Sequence, residues 1–243
     1  MRRLLIRPGA IGDVILSLPA LEAARAEYTE VWAPRNVLPL IRFADRTRAT
    51  ADTGLDWIGV REDASLAALE GFDSIYSWYG AARPEFREAV AHLPVRFFRA
   101  LPPPADGVPR IAVPEAPVQD LVAMHPFASS VAKRWPTENF RAVAAQLNVP
   151  VRWIAGPEEA LDDAVRFDDL YELGCWIARA RAFVGNDSGI AHLAAAVGTP
   201  VVAIFQASDP QVWAPRGERV RVLECPRVEE VVTAVRLTLE FRR

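Results

Sequence analysis

Short apolar runs alternate with amphipathic segments along most of the chain. In the first hundred residues, five runs are typical of buried strands, and between several of them apolar positions recur with the period of a helix. The strands are predicted at 4–7, 30–32, 48–51, 74–78 and 95–98, and the helices at 14–26 and 85–91. Strands and helices in alternation predict a parallel sheet with right-handed crossovers.

The same alternation returns in the second half of the chain. Strands are predicted there at 121–125, 151–155, 182–184, 201–205 and 220–223, and helices at 137–147, 170–180, 188–197 and 228–241. Seven of the 20 prolines fall between Pro94 and Pro117, where no amphipathic period continues. We therefore predict two Rossmann-like α/β domains facing a central cleft, at 1–101 and 118–243, joined by a proline-rich linker at 102–117.

Composition limits the class of protein. With 243 residues, 51% of them hydrophobic, and a formal net charge of −3, the chain is predicted to be folded and not to bind nucleic acid. Cys175 and Cys225 form no CxxC pair, so we expect a reducing compartment, the cytoplasm. No apolar run is long enough to span a bilayer, and no signal peptide is expected.

The loop after the first predicted strand carries the first candidate site. Gly9 and Gly12 permit a tight turn there, and Asp13 follows in the first turn of the next helix. An aspartate at this position is typical of a helix cap, and that interpretation is favoured on local grounds. The alternative is a general base, because a carboxylate at the end of a strand points toward a ligand.

The loop after the first strand of the second domain carries the second candidate. It holds Ser129, Ser130 and Lys133, which is the single lysine among 28 basic residues. Hydroxyls and a cation before a helix can bind phosphate oxygens. A surface loop with Trp135 as a packing anchor accounts for the same residues equally well.

The third candidate is the most specific. A predicted strand ends at Val184, and Asp187, Ser188, Gly189 and His192 follow within about one helical turn. Amides at a helix N-terminus hold phosphate, and Ser188 and His192 share a helix face. A capping role for Asp187 and a packing role for His192 are the alternatives, but neither explains why these residues collect at one strand end.

Smaller signals lie at two further strand ends. Glu159 follows the strand that ends at Ala155, where a carboxylate can accept hydrogen bonds from ribose hydroxyls, or can simply compensate a helix dipole. Asp209 follows the strand that ends at Phe205. We expect no metal site, because the three histidines are scattered and no Asp-x-Asp pair is present. P-loop, nucleophile-elbow and zincin motifs are absent as well.

Three segments together resemble glycosyltransferase family 9, the ADP-heptose:lipopolysaccharide heptosyltransferase family. They are GAIGDVILSLPAL at 9–21, HPFASSVAKRWPTENF at 125–140 and FVGNDSGIAHLAAAVGTPVVAIF at 183–205. The resemblance implies a GT-B fold and an inverting, metal-independent transfer of a sugar, heptose from ADP-heptose above all. It further implies a lipopolysaccharide-core or related glycan acceptor. We expect no cofactor, and the sequence indicates no obligate protein partner.

The resemblance also assigns roles to residues of this chain. Asp13 matches the family's catalytic base, and Lys133 matches the lysine that contacts the donor phosphates. The donor-binding residues it implies are Ser129, Ser130, Glu159, Asp187, Ser188, Gly189 and His192. Gly9, Gly12 and Asp209 are expected to contact the ligand from their loops.

Two departures from the family pattern limit the prediction. Family members are generally longer, with most of the shortfall in the acceptor-binding first domain, and Gln206-Ala207-Ser208-Asp209-Pro210 replaces the usual Gly-Pro-Thr-Asp-Pro. The acceptor and the oligomeric state therefore stay open. The alternatives are a non-catalytic nucleotide-sugar-binding paralogue and, with less support, a sugar-nucleotide epimerase. Peripheral contact with the inner face of the inner membrane is expected if the acceptor is a glycolipid.

Overall fold

The chain divides into two compact units in a computed structural model. Unit 1 is Met1–Gly107 and unit 2 is Val108–Arg243. The structure describes residues 1–61, 65–99 and 107–240. The first five residues of the predicted linker, 102–106, lie outside the described residues, as does the end of the last predicted helix at 241.

Unit 1 contains one parallel sheet of five strands in the order β3-β2-β1-β4-β5. Its elements are β1 (Arg2–Ile6), α1 (Ile11–Ala23), β2 (Tyr28–Ala33), β3 (Arg46–Ala49), β4 (Ser74–Ser77), α2 (Pro84–Ala89) and β5 (Val95–Phe97). Short 3₁₀ turns at Arg35–Leu40, Thr50–Asp52 and Leu55–Trp57 replace helices in two of the crossovers. The central strand β1 is paired on both sides, so Leu4, Leu5 and Ile6 are buried.

Unit 2 also contains a parallel sheet of five strands, in the order β10-β9-β8-β6-β7. Its strands are β6 (Gln119–His125), β7 (Val151–Trp153), β8 (Ala180–Asn186), β9 (Val201–Phe205) and β10 (Val220–Glu224). The helices are α3 (Thr137–Ala144), α4 (Leu170–Ile177), α5 (Gly189–Ala196), α6 (Pro210–Trp213) and α7 (Val228–Glu240).

Each unit has its own apolar core. In unit 2 the strands β8 and β9 are covered on both faces, which is why they are almost continuously apolar. One face packs on α3 and α7, through residues such as Phe140, Val143, Val231 and Val235. The corresponding cluster of unit 1 includes Leu4, Ile6, Trp32, Ile75 and Phe86.

The α/β fold and the parallel sheets predicted from the sequence are confirmed. Element boundaries differ by a few residues. The helix predicted at 170–180 ends at Ile177, and strand β8 begins already at Ala180, two residues before the predicted start. Residues 180 and 182 are buried like the strand centre, so the small side chains there belong to the sheet. Among the described residues, no helix has the length and apolar character needed to cross a membrane.

Candidate functional site

The loop from Gly9 to Asp13 links β1 to α1 in unit 1. Gly9 has a φ of +120°, a conformation that favours glycine. The Ala10 amide donates to Asp13 Oδ2 at 2.8 Å. This bond satisfies one of the amides that a helix N-terminus leaves without an intrahelical partner. The capping interpretation of Asp13 is thus confirmed, and it does not exclude a base, since both roles use the ionised carboxylate.

A buried arginine holds this loop in place through hydrogen bonds to α1. Arg7 is 2% exposed, and its guanidinium donates to Ser17 Oγ at 2.6 Å and to the Asp13 carbonyl oxygen at 3.0 Å. Ser17 Oγ donates in turn to the same carbonyl at 2.8 Å. Burial lowers the pKa of Arg7, while the nearby Asp13 charge opposes that shift. The first turn of α1, and with it Asp13, is therefore held by Arg7, which follows β1, and by Ser17 on α1 itself.

Asp187 lies at the carboxyl end of β8 in unit 2 and is 4% exposed. Its Oδ2 accepts from the Lys133 ammonium at 2.7 Å and from the Ser208 hydroxyl. The ammonium also lies 6.0 Å from the centroid of the Trp213 ring. The single lysine of the chain and the carboxylate of the third motif thus form an ion pair.

Helix α5 begins two residues after Asp187. Ser188 is extended, with φ −150° and ψ 162°, and Gly189 is the first helical residue, one position after the predicted start at 188. The Ser188 Oγ atom is buried and makes no hydrogen bond to a described residue. His192 lies one turn further on and is 5% exposed. The amides of this N-terminus and the Lys133 ammonium can both bind an anion.

Asn186 holds both ends of the loop that carries Lys133. Its Oδ1 accepts from the Trp135 amide at 2.9 Å, and its Nδ2 donates to the Pro126 carbonyl at 2.8 Å. The Trp135 indole donates to the Pro226 carbonyl at 3.1 Å. Ser129 and Ser130 lie between these anchors and are exposed, which is the arrangement a ligand-binding loop needs.

Glu159 lies on the loop after β7. Its Oε2 accepts from the Gly156 amide at 2.6 Å and lies 3.1 Å from His125 Nε2. Burial alone would raise the pKa of Glu159, but the hydrogen bonds from His125 and Gly156 and the charge of Arg134 lower it overall. The carboxylate is therefore ionised and held in place before any ligand binds.

The remaining sequence candidates have local roles. Asp209 caps the short helix α6, where its Oδ1 accepts from the Gln211 amide at 2.8 Å, and Gly12 lies within the first turn of α1. Across the described residues, no three His, Cys, Asp or Glu side chains come together as a group that could hold a metal ion.

Sequence reasoning assigned no role to several residues that the structure brings to the site. Asn186, Ser208 and His125 all stand in segments singled out above, but their partners are distant in sequence. Trp213 carried no signal at all. A polar residue at the end of a buried apolar strand is the signal that could have identified Asn186 and His125.

Comparison with known proteins gives partial matches of sequence. Residues 168–236 match the model of glycosyltransferase family 9 (heptosyltransferase). Lipopolysaccharide heptosyltransferase 3 of Escherichia coli is 33% identical over 118 residues, a match that covers 40% of this chain and 34% of that protein. The chain thus aligns with about a third of the length of this curated relative.

Similarity to solved structures extends over the whole chain. The ADP-heptose lipopolysaccharide heptosyltransferase II of E. coli matches with a TM-score of 0.73 and 20% identity, covering 99% of each chain. The E. coli heptosyltransferase WaaC, solved with ADP, matches with a TM-score of 0.65 and 16% identity, covering 100% of each chain. At such identities the likeness shows the fold, which is GT-B-like. In sequence, the similarity to glycosyltransferase family 9 is confined to part of the chain, at residues 168–236 for the family model.

Proposed function

We propose that this protein is an inverting, metal-independent glycosyltransferase that moves heptose from ADP-heptose to a lipopolysaccharide-core or related glycan acceptor. The observation that carries the proposal is the ion pair of Lys133 and Asp187 beside the N-terminus of α5. The ion pair brings a cation near the N-terminus of α5, and a cation and N-terminal amides together suit the binding of a diphosphate. The partial match to the heptosyltransferase family at 168–236 and the likeness to the WaaC structure solved with ADP support an adenine nucleotide.

Lys133 has enough N–H donors to bind both Asp187 and a phosphate group. An ammonium carries three N–H groups, so Lys133 can keep its bond to Asp187 and still donate to phosphate oxygens. Asp187 then orients the ammonium, and Ser208 orients Asp187. Ser129, Ser130, the Ser188 and Gly189 amides and His192 add further donors, while Glu159 binds the ribose.

The chemistry is a single displacement at the anomeric carbon. Asp13 accepts the proton of an acceptor hydroxyl, whose oxygen forms the new bond to the anomeric carbon from the face opposite the nucleotide. The bond from that carbon to the diphosphate breaks, and its electron pair leaves with ADP. Lys133 and the amide donors stabilise the charge that grows on the leaving diphosphate, in the role that a divalent cation has in other transferases.

The acceptor determines where the enzyme works. A lipopolysaccharide-type acceptor is built on a lipid, so we place the protein in the cytoplasm with peripheral contact at the inner face of the inner membrane.

Asp13→Asn tests the proposed base. The amide keeps an oxygen that can accept from the Ala10 amide, so the variant retains the cap on α1 and loses only the proton acceptor. We expect ADP to bind as in the wild type and transfer to fall by about 10²-fold or more. Transfer at the wild-type rate would contradict the assignment. Transfer that continues in EDTA is expected for a metal-independent reaction.

A donor panel separates the proposal from its alternatives. ADP, UDP and GDP are compared by thermal shift, and ADP should stabilise the protein most. ADP-heptose is then incubated with and without a truncated lipopolysaccharide acceptor. Binding without transfer would favour a non-catalytic binder, and conversion of the donor alone would favour an epimerase.

A further inference from the structure

We infer that His125 is a positioning residue for the ribose-binding carboxylate of Glu159. The inference rests on the proposed function, because Glu159 has this role only if unit 2 binds a nucleotide. The two residues lie at neighbouring strands of one sheet: His125 is the last residue of β6, and Glu159 lies on the loop after β7, which pairs with β6.

The hydrogen bonds to Glu159 from His125 and Gly156 engage one of its two carboxylate oxygens and leave the other for a ligand. His125 Nε2 and the Gly156 amide both contact Oε2, at 3.1 and 2.6 Å, and neither of these contacts uses Oε1. The Glu159 side chain is 27% exposed, whereas that of His125 is 5% exposed. One oxygen is thus held by the protein while the carboxylate still reaches solvent, where a ribose hydroxyl can donate to it.

The other imidazole nitrogen argues against a purely structural role for His125. Nδ1 is buried and makes no hydrogen bond to any described residue. An apolar side chain of similar size would fill this position without burying a polar atom that lacks a partner, which costs free energy. The polar interaction that His125 gains in exchange is the bond to Glu159. Because that carboxylate can only accept, a hydrogen is assigned to Nε2 in this contact.

Other charges near Glu159 do not replace this contact. Arg134 contributes through its charge, but its Nε donates to the Ala128 carbonyl at 2.9 Å, and the residue is exposed. The Gly156 amide fixes the same oxygen from the loop of Glu159 itself. His125 is therefore the side chain that ties the orientation of Glu159 to the sheet.

A matched pair of variants tests the inference. Glutamine keeps an N–H donor at a reach close to that of Nε2, whereas methionine has similar size and no donor. Binding of ADP and of 2′,3′-dideoxy-ADP is measured by calorimetry for the wild type, His125→Gln and His125→Met. We expect His125→Met to weaken ADP binding about tenfold, in keeping with loss of an oriented charged hydrogen bond, and His125→Gln to restore most of it. Neither change should alter binding of the dideoxy nucleotide.

A neighbouring core variant provides the structural control. Met124 is buried on the opposite face of β6, in the core cluster of unit 2. Met124→Ala should lower the unfolding temperature and keep the wild-type preference for ADP over its dideoxy analogue. If His125→Met does not fold, His125→Asn takes its place. The amide of asparagine is one methylene shorter than that of glutamine, so its N–H donor is held further from Glu159. The carboxyl resonance of Glu159, followed by NMR, should titrate at higher pH in the variant without the donor.

The outcomes separate failure of the inference from failure of the proposed function. If the wild type prefers ADP over the dideoxy analogue and His125→Met keeps that preference, the inference is overturned and the proposed function stands. If His125→Met weakens the binding of both nucleotides equally, His125 acts only in packing, and the inference is overturned as well. If the wild type binds none of ADP, UDP and GDP, the proposed function fails, and the inference fails with it.

Discussion

At the scale of single residues, Gly9 shows how closely the first loop is fitted to its aspartate. A Cβ at Gly9 would lie 2.8 Å from both Cβ and Oδ2 of Asp13, and the φ of +120° is one that other residues rarely adopt. The position is therefore restricted twice, once by backbone conformation and once by the carboxylate that caps the helix.

Gly9→Ala is expected to disturb the carboxylate of Asp13. We expect a loss of about 1–3 kcal/mol in the free energy of unfolding, together with reduced transfer. Gly71→Ala is the matched control, because Gly71 has a φ of +88° and a Cβ there meets no atom within 4 Å. Urea unfolding and transfer assays compare the two. If both variants lose stability and only Gly9→Ala loses transfer, contact with Asp13 is the cause.

Lys133 contributes to stability through its ion pair with a buried carboxylate. Its partner Asp187 is buried, so removal of the ammonium leaves a buried carboxylate that has lost its cation and keeps its bond to the Ser208 hydroxyl. Replacement of Lys133 is therefore expected to affect both the stability of the fold and the binding of the ligand.

Lys133→Ala is expected to weaken ADP binding by about 1.5–3 kcal/mol, the value of a lost charged hydrogen bond. It should also lower the unfolding temperature without ligand. Lys133→Arg keeps the charge but not the compact shape of an ammonium, and it should recover part of the binding. Calorimetry with ADP measures both variants. Unchanged affinity in Lys133→Ala would remove Lys133 from the donor site.

At the scale of elements, Asn186 joins the end of β8 to the loop after β6. Its amide satisfies two buried backbone groups that are 51 and 60 residues away in sequence. The loop that carries Ser129, Ser130 and Lys133 thus depends on a side chain outside it.

Asn186→Ala should free that loop and lower stability. Each buried backbone group left without a partner costs about 1–3 kcal/mol, and the loop amides at 126–135 should exchange faster with solvent. Asn186→Asp keeps the acceptor for Trp135 and loses the donor to Pro126, so it should show an intermediate effect on unfolding. Asn148→Ala, at an exposed position, provides the control for the substitution itself. Unchanged exchange in the loop would contradict the proposed anchor.

In unit 1 a tyrosine joins a 3₁₀ turn to the segment before α2. The Tyr79 hydroxyl donates to Asp56 Oδ1 at 2.7 Å and accepts from Arg83. Burial and the bond to Asp56 raise the pKa of Tyr79 from 10.0 to about 12, against the opposing effect of Arg83. The folded state therefore holds the phenolic proton more tightly than the unfolded state does.

The raised pKa of Tyr79 predicts how stability changes in alkali. Its contribution is present below pH 10.0 and is lost as the pH rises through about 12. The free energy of unfolding should therefore fall more steeply over this range in the wild type than in Tyr79→Phe. The chain suits this test because it has one lysine, so few ammonium groups titrate in the same pH range. Urea unfolding at several pH values measures the slopes, and parallel curves for the two proteins would contradict the assignment.

At the scale of the whole molecule, the two units have separate sheets and separate cores. The proposed donor residues all lie in unit 2, and the family match at 168–236 lies there too. Asp13, the proposed base, lies in unit 1. Donor binding and proton transfer are thus assigned to different parts of the chain.

Hydrogen exchange can test this division of roles. ADP should slow exchange at 126–135 and 186–192 in unit 2 and leave most amides of unit 1 unchanged, because a ligand stabilises the groups it contacts. UDP at the same concentration, bound more weakly, should protect the same segments less. Protection confined to unit 1 would contradict the assignment of the donor site.

The sequence by itself determined the order of strands and helices, because apolar periodicity reports burial and both sheets are built from buried parallel strands. It also predicted which loops carry the candidate site residues, since these loops follow the strands. Partners were decided only by the tertiary structure: Lys133 with Asp187, His125 with Glu159, and Asn186 with the ends of a distant loop. These contacts depend on which strands are neighbours and in what register, and local sequence does not encode that order.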